Sequence, residues 1–281
     1  RRRRKILRSI IFSCRIIAVS VYVAVESRMI TSGDGRTNKY DVEAGNNTYD
    51  NAVIENSKIS EKNKIQNNQS MLDDIMNSTQ YPKQLKDLAL KNEEALEFVY
   101  DYPAEHVKEH TIDLTEEASM DSVPLFVQWD KRWGYEKYSG NFFAASGCGP
   151  TTLSMVVVYL THNREASPIA VAKYSKEAGY SVDGSGSSWT LISEGCMHYG
   201  VKAKTVALDE SRMKAELDAG HPIVINVGPG DFTDTGHFMV ITGYDDEGFS
   251  INDPNSIEKS GKRWLFKNIS SQIRAVWSMY V

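Results

Sequence analysis

A cysteine between two glycines precedes an apolar segment with helical spacing. Cys148 lies in residues 146–152, which read SGCGPTT, and apolar residues recur at intervals of three and four from Leu153 to Leu160. This pattern predicts a helix that begins at the cysteine and buries one stripe. The positive end of a helix dipole and unpaired N–H groups favour a thiolate, which is a nucleophile near neutral pH. A small cysteine buried in the core is the alternative interpretation.

A nucleophilic cysteine needs a base, and the chain has six histidines. His237 fits this role best because it opens a strand-like apolar segment, residues 236–244, after a turn-rich stretch. His162 follows the helix of the cysteine and lies about four turns from the sulfur, too far to share its proton. The other four histidines fall at predicted surface, helix-end or turn positions. For His237, a surface residue at the start of a strand is the alternative.

A third group should orient the imidazole. Residues 244–249 predict a hairpin turn, and the returning strand brings Asn252 and Asp253 back toward His237. A carboxylate at this place would fix the imidazole tautomer and stabilise the imidazolium, which favours Asp253 over Asn252. The sequence Asp-Pro-Asn is also typical of a plain turn.

Four segments together resemble the stand-alone C39-like cysteine peptidases of bacteria, which share the papain-like core. The four segments are residues 123–134, 146–152, 236–238 and 252–256. The resemblance extends over roughly residues 81–281. It implies that Cys148 is the nucleophile, His237 the base and Asp253 the orienting group. It also implies a papain-like fold.

The resemblance gives a role to Gln128, whose side-chain amide would help to hold the oxyanion beside the backbone N–H of Cys148. A solvated polar residue at a strand end is the alternative for Gln128. The implied activity is hydrolysis of a peptide or protein substrate, and no cofactor or metal is expected. Two alternatives stay open. One is a non-catalytic module that binds peptides or cell wall, and the other is a cell-wall amidase or acyltransferase of similar chemistry.

Composition and charge argue against other function classes. The formal net charge is −5, and residues 1–8 hold six basic residues and no acidic one, so the rest of the chain carries 26 basic against 37 acidic residues. Proteins bind nucleic acids through clustered Lys and Arg residues. The excess of acidic residues after position 8 therefore argues against a nucleic-acid partner. The three cysteines, at positions 14, 148 and 196, form neither a disulfide framework nor a metal-binding pattern. Cys196 receives no role.

The first 27 residues have the pattern of an export signal. The basic residues 1–5 precede an apolar stretch from Ile10 to Val25, which Arg15 interrupts. This predicts a signal peptide or signal anchor, with the catalytic body outside the cell and a membrane contact if the segment is retained. A basic tail followed by a core helix is the alternative.

The chain divides into four predicted parts. Residues 1–27 are the signal, and residues 28–80 form a disordered spacer too polar to fold alone. Residues 81–122 are a helical extension with an acidic linker. Residues 123–281 are the peptidase domain.

Within the last part, a block of helices precedes a block of strands. Helices are predicted from Cys148 and near 166–179 and 189–199. Strands are predicted near 201–207, 222–228, 237–244, 248–253 and 275–281. This order predicts an α+β fold in which the helix of the nucleophile packs on an antiparallel sheet. Ile223, Ile225 and Val227 alternate as in a strand buried on one face. Trp189 is predicted to pack in the core, and a place in the lining of the cleft is the alternative.

Overall fold

An antiparallel sheet of six strands forms the centre of the structure, a computed structural model that describes residues 47–281, with side chains from residue 59. The strands of the described residues are β1 Lys137–Tyr138, β2 Asn141–Phe142, β3 Ser181–Val182, β4 Gly186–Ser187, β5 Lys202–Thr205, β6 Ile223–Val227, β7 His237–Asp245, β8 Gly248–Asn252, β9 Arg263–Trp264 and β10 Ile273–Tyr280. The central sheet has the order β5, β10, β6, β7, β8, β9, and β1–β2 and β3–β4 form two small hairpins.

The helices surround this sheet. They are α1 Asn47–Asn77, α2 Lys83–Lys91, α3 Leu96–Tyr100, α4 Tyr102–Glu105, α5 Thr115–Ala118, α6 Phe143–Ser146, α7 Cys148–Thr161, α8 Pro168–Glu177, α9 Thr190–Ser193, α10 Glu210–Asp218, α11 Ile257–Ser260 and α12 Phe266–Ile269. Residues 56–281 form one compact unit. None of the helices in the described part of the chain is long and apolar enough to cross a bilayer.

The helix that begins at Cys148 is the central helix. Every residue from Gly149 to Val158 on α7 is buried, whereas the sequence predicted one buried stripe. The difference arises because α7 packs against β7 of the sheet and against α8 and α5 at the same time. The cysteine is therefore fixed by a helix that has little freedom to shift.

The sheet is covered on both faces. Val224, Phe238 and Val240 belong to the apolar cluster that includes α7. Ile223 and Ile225 belong to a second cluster, which contains Met213 of α10, so all five residues of β6 are buried. The sequence predicted burial on one face only, because α10 has no strong apolar pattern and was not predicted. Each large apolar side chain buried in this way contributes about 1.5–3 kcal/mol.

A third apolar cluster joins the N-terminal helices to the body of the protein. Ile75, Leu85 and Phe98 from α1, α2 and α3 pack with Phe142 and Ala144, which lie just before Cys148. The structure thus has a helix over residues 47–77, where the sequence predicted a disordered spacer. The last part of α1 carries apolar residues at helical spacing, and these reach the cluster.

The predicted α+β fold is confirmed: a helical part precedes an antiparallel sheet, and the cysteine helix packs on it. The helix predicted over 189–199 is divided into α9 and a 3-10 turn, Gly195–Tyr199. The predicted signal, residues 1–27, and the first part of the predicted spacer lie outside the described residues.

Candidate active site

Cys148 is the first residue of α7 and lies partly exposed at the floor of a cleft. Burial would raise the pKa of its thiol, but a hydrogen bond with His237 and backbone hydrogen bonds from Phe238 and Gly149 outweigh burial and lower that pKa below its usual range. The N–H groups of the first helical turn have no partner within the helix, so they add positive potential at the sulfur. The site therefore favours a thiolate.

His237 is the first residue of β7 and pairs with Val227 at the end of β6. Its side chain is buried and makes a hydrogen bond with the thiol of Cys148. Nε2 of His237 lies 2.7 Å from Oδ1 of Asp253, which leaves Nδ1 for the sulfur. Burial would lower the pKa of the imidazole, but the charge and hydrogen bond of Asp253 and the contact with Cys148 raise it well above its usual range. The pair thus favours thiolate with imidazolium.

Asp253 lies one residue beyond the end of β8. Besides the bond to His237, its Oδ1 accepts the backbone N–H of Asn255 at 2.8 Å. Its own backbone N–H donates to Oγ of Ser260 at 2.9 Å, and its side chain is 1% exposed. The carboxylate is therefore locked in place on the side of the imidazole away from the sulfur.

A bulge in β7 sets the register that brings Asp253 to His237. The pairing runs regularly from Asp245 to Gly243 and then shifts, so that Ile241 faces Ile251. Thr242 is the extra residue of this bulge. Because of this shift, each residue at the end of β8 pairs one position closer to the start of β7 than it would without the bulge. Bulges often change the direction of side chains near functional sites in this way.

Asn252, the alternative orienting residue, has a different task. Its Nδ2 donates to the backbone oxygens of Val123 and Pro124, each at 3.1 Å. It therefore anchors the segment that leads to Gln128 and makes no hydrogen bond to His237.

Gln128 lies at the same site and is 4% exposed. Its Nε2 donates to the backbone oxygen of Ala144 at 2.7 Å, and its backbone N–H donates to the oxygen of Pro254 at 2.7 Å. The opposite orientation of the amide would set two acceptors against each other, so the nitrogen must face Ala144. Its Oε1 is buried and has no hydrogen-bond partner among the described residues. Gln128 lines the same side of the cleft as Cys148.

The cleft extends to both sides of Cys148. One side, which we call the α2 half, is lined by Gln84, Asp87 and Lys91 of α2 and by the loop of residues 230–236. The other side, the Arg274 half, is lined by the β3–β4 turn, Trp189, Asn226 and Arg274 and has a volume of about 720 Å³. The side chain of Trp189 lines this half instead of the core: it is 47% exposed and makes an edge contact with Trp277, with ring centres 6.0 Å apart.

No local sequence pattern indicated the wall formed by α2 or its contacts with the loop of Asp253. Nδ2 of Asn92 donates to the backbone oxygen of Asn255 at 2.9 Å. The carboxylate of Glu94 accepts from Oγ of Ser256 and from the N–H groups of Ile257 and Glu258. These residues lie more than 150 positions apart in the chain, so no local pattern could have revealed the contacts.

The remaining candidates do not reach the cleft. Cys196 is fully buried, and burial raises the pKa of its thiol to about 11. Nδ1 of His162 lies 2.8 Å from the backbone oxygen of Ala118, beyond the far end of α7. Within residues 47–281, no group of three or more His, Cys, Asp or Glu side chains is placed to hold a metal ion.

The fold and the site define a papain-like arrangement, with a cysteine at a helix N-terminus and its histidine partner on an antiparallel sheet. Residues 120–281 match the model of the Peptidase_C39 like family. This match spans more than half of the chain, so the protein belongs to the C39-like peptidase family.

Several solved structures are similar to this chain, among them two from bacteria. The peptidase domain of Streptococcus ComA, a bifunctional ABC transporter involved in a quorum-sensing pathway, is 18% identical, with a TM-score of 0.41 over 56% of this chain and 96% of that one. A Bacillus anthracis protein described as a C39-like peptidase is 17% identical, with a TM-score of 0.36 over 57% of this chain and 95% of that one. No curated protein matches the chain.

Proposed function

We propose that the protein is a cysteine peptidase in which Cys148, His237 and Asp253 act as nucleophile, acid–base group and orienting group. The observation that carries this proposal is the row of thiol, imidazole and carboxylate at the floor of an open cleft, in which His237 interacts with the thiol of Cys148 and lies 2.7 Å from the carboxylate of Asp253. Membership of a peptidase family supports a peptide or protein as the substrate.

In the first step, the thiolate of Cys148 attacks the carbonyl carbon of the scissile peptide bond. The carbonyl oxygen becomes an oxyanion, and its charge is held by an N–H of the Gln128 amide and by the backbone N–H of Cys148. The hydrogen bond from Gln128 to Ala144 fixes the direction of this donor. The donor is therefore oriented before substrate binds, and no reorganisation is needed in the transition state.

In the second step, the His237 imidazolium donates its proton to the leaving amine, and the C–N bond breaks. The acyl group remains on Cys148 as a thioester. Neutral His237 then takes a proton from water, which attacks the thioester and releases the acid. Asp253 keeps Nε2 protonated throughout, so that Nδ1 is the atom that exchanges protons with the reacting groups.

Two cysteine variants test the proposal against a matched control. Cys148→Ala should reduce hydrolysis of a peptide library by at least about 10³-fold, because it removes the nucleophile. Cys196→Ala changes a buried thiol that lies outside the cleft and should keep the activity of the parent chain. Mass spectrometry of the cleaved library gives both rates. Full activity in Cys148→Ala would disprove the assignment.

We also propose that the enzyme acts at the outer cell surface. The support is the basic and apolar pattern of residues 1–27. Protease accessibility of the tagged protein in intact cells tests this location. Protection in intact cells, with digestion only after lysis, would place the enzyme inside.

A further inference from the structure

The two halves of the cleft differ in charge. The α2 half carries Asp87, Lys91, Asp231, Asp234 and Lys259 along its lining. In the Arg274 half, Arg274 is the only charged residue among the described residues that form the lining. A substrate that crosses Cys148 therefore meets a single positive charge on one side and charges of both signs on the other.

The guanidinium of Arg274 has no carboxylate partner among the described residues. It is exposed, and its Nη1 donates to the backbone oxygen of Ser271 at 2.7 Å. Its Nε and Nη2 lie over Gly228. A Cβ atom built on this glycine would be only 2.9 Å from Nε and 3.1 Å from Nη2. A glycine at this place leaves room for the flat guanidinium. Its donor edge is then available to a planar carboxylate.

A second polar group faces the same space. Asn226 lies on β6, is 5% exposed and lines the Arg274 half together with Cys148 and Phe238. Its amide has no hydrogen-bond partner in the part of the chain that the structure describes. The amide atoms of Asn226 are not among the fully buried, unpaired polar atoms of the described residues, so they are accessible from the cleft. The amide of Asn226 and the guanidinium of Arg274 therefore both offer hydrogen-bond donors to a ligand that enters this space.

We propose that the Arg274 half binds a carboxylate of the substrate, held by Arg274 and Asn226, at a fixed position relative to the scissile bond. The carboxylate is that of an acidic side chain or of a free C-terminus. This inference rests on the proposed function, because it assumes that the ligand of the cleft is a peptide. It makes the enzyme selective for acidic peptides despite the negative charge of most of the chain.

The test compares acidic peptides with their neutral isosteres. The wild-type enzyme should cleave a mixed tetradecapeptide library with enrichment of acidic groups at one position. For the best sequence, changing Glu to Gln should lower kcat/KM by about tenfold or more. In Arg274→Gln this ratio should fall to about one, and Arg274→Lys should retain part of it. Arg263→Gln removes an arginine that pairs with Asp245 outside the cleft and should behave as the parent chain.

Two further experiments identify the source of the carboxylate and separate this proposal from the proposed function. In the first, peptides with a free C-terminal acid are compared with their carboxamides. A preference for the free acid assigns the carboxylate to the C-terminus, and a preference confined to Glu assigns it to the side chain. The second experiment applies if no peptide is cleaved. The same library is passed over immobilised Cys148→Ser protein, which should retain acidic peptides selectively. Adding Arg274→Gln to this protein should abolish the selective retention. Absence of acidic preference in both readouts, or its persistence in Arg274→Gln, would overturn the carboxylate site.

Discussion

Each residue of the site gains its chemistry from its neighbours. Cys148 and Cys196 are both cysteines of the same chain, yet the pKa of one thiol is lowered and the pKa of the other is raised to about 11. Burial acts in the same direction on both. Backbone N–H groups lower the pKa of both thiols, so the difference lies in His237, which interacts with the thiol of Cys148 and has no counterpart at Cys196.

The pH dependence should differ between labelling and hydrolysis. Labelling of Cys148 with iodoacetamide needs only the thiolate, so its rate should remain high well below the usual thiol pKa of about 8.5. Hydrolysis also needs the imidazolium to protonate the leaving amine. It should therefore fall at acid pH as the thiolate is lost, and again at alkaline pH as His237 loses its proton. Stopped-flow labelling and peptide hydrolysis over the same pH range measure the two curves.

The variant His237→Ala checks the origin of this thiolate. Without the imidazole, burial is no longer outweighed, so the pKa of the Cys148 thiol should rise and labelling at pH 6 should slow by more than about tenfold. In Cys196→Ala the labelling curve should be unchanged. Equal labelling of His237→Ala and wild type at pH 6 would mean that the helix N-terminus alone produces the thiolate.

Removal of the Gln128 amide should affect the rate of the chemical step. Gln128→Ala should lower kcat by about 10²-fold, in the range found when one oxyanion donor is removed. KM should change little, since the contact strengthens only in the transition state. The control Gln84→Ala alters a glutamine that lines the α2 half of the same cleft. A rise in KM with constant kcat would instead make Gln128 a substrate-binding residue.

The secondary-structure elements were predicted well where their signals are local. The helix from Cys148 and the strands at His237 and before Asp253 have clear apolar periodicity, and a count across the hairpin placed Asn252 or Asp253 close to His237. The bulge at Thr242 and the short helix α10 have weaker signals, because they depend on partners distant in the chain. The contacts of Asn92 and Glu94 with the Asp253 loop belong to the same group.

The variant Glu94→Ala tests whether the segment before α3 influences the site. The carboxylate of Glu94 accepts the N–H groups of Ile257 and Glu258 at 2.7 and 3.0 Å and so caps α11 beside Asp253. Glu94→Ala should lower the free energy of unfolding by about 1.5–3 kcal/mol, because hydrogen bonds to a charged acceptor are lost. It should also reduce kcat, since the loop that holds Asp253 loses its anchor.

Chemical denaturation and peptide hydrolysis measure both effects of Glu94→Ala. The matched control is Glu97→Ala, which removes an exposed glutamate one turn further along the chain. An unchanged kcat despite lower stability would show that α11 keeps Asp253 in place without Glu94.

At the scale of the whole molecule, the folded unit is larger than the part that matches the family. The match begins at residue 120, but the apolar cluster of α1, α2 and α3 closes over Phe142 and Ala144. Phe98 of α3 also stacks on Tyr135, with ring centres 4.2 Å apart. The N-terminal helices therefore complete the core next to the cysteine helix as well as one wall of the cleft.

A chain of residues 120–281 should consequently be unstable and inactive, whereas a chain of residues 56–281 should keep both stability and activity. The shorter chain would expose Phe142 and Tyr135, at a cost of about 1.5–3 kcal/mol for each large apolar side chain, and would lose Asn92 and Glu94. We expect a clearly lower Tm, binding of a dye specific for exposed apolar surface, and loss of peptide hydrolysis. Calorimetry and the library assay on the two chains decide the matter: equal Tm and equal kcat/KM would make the N-terminal helices an independent appendage.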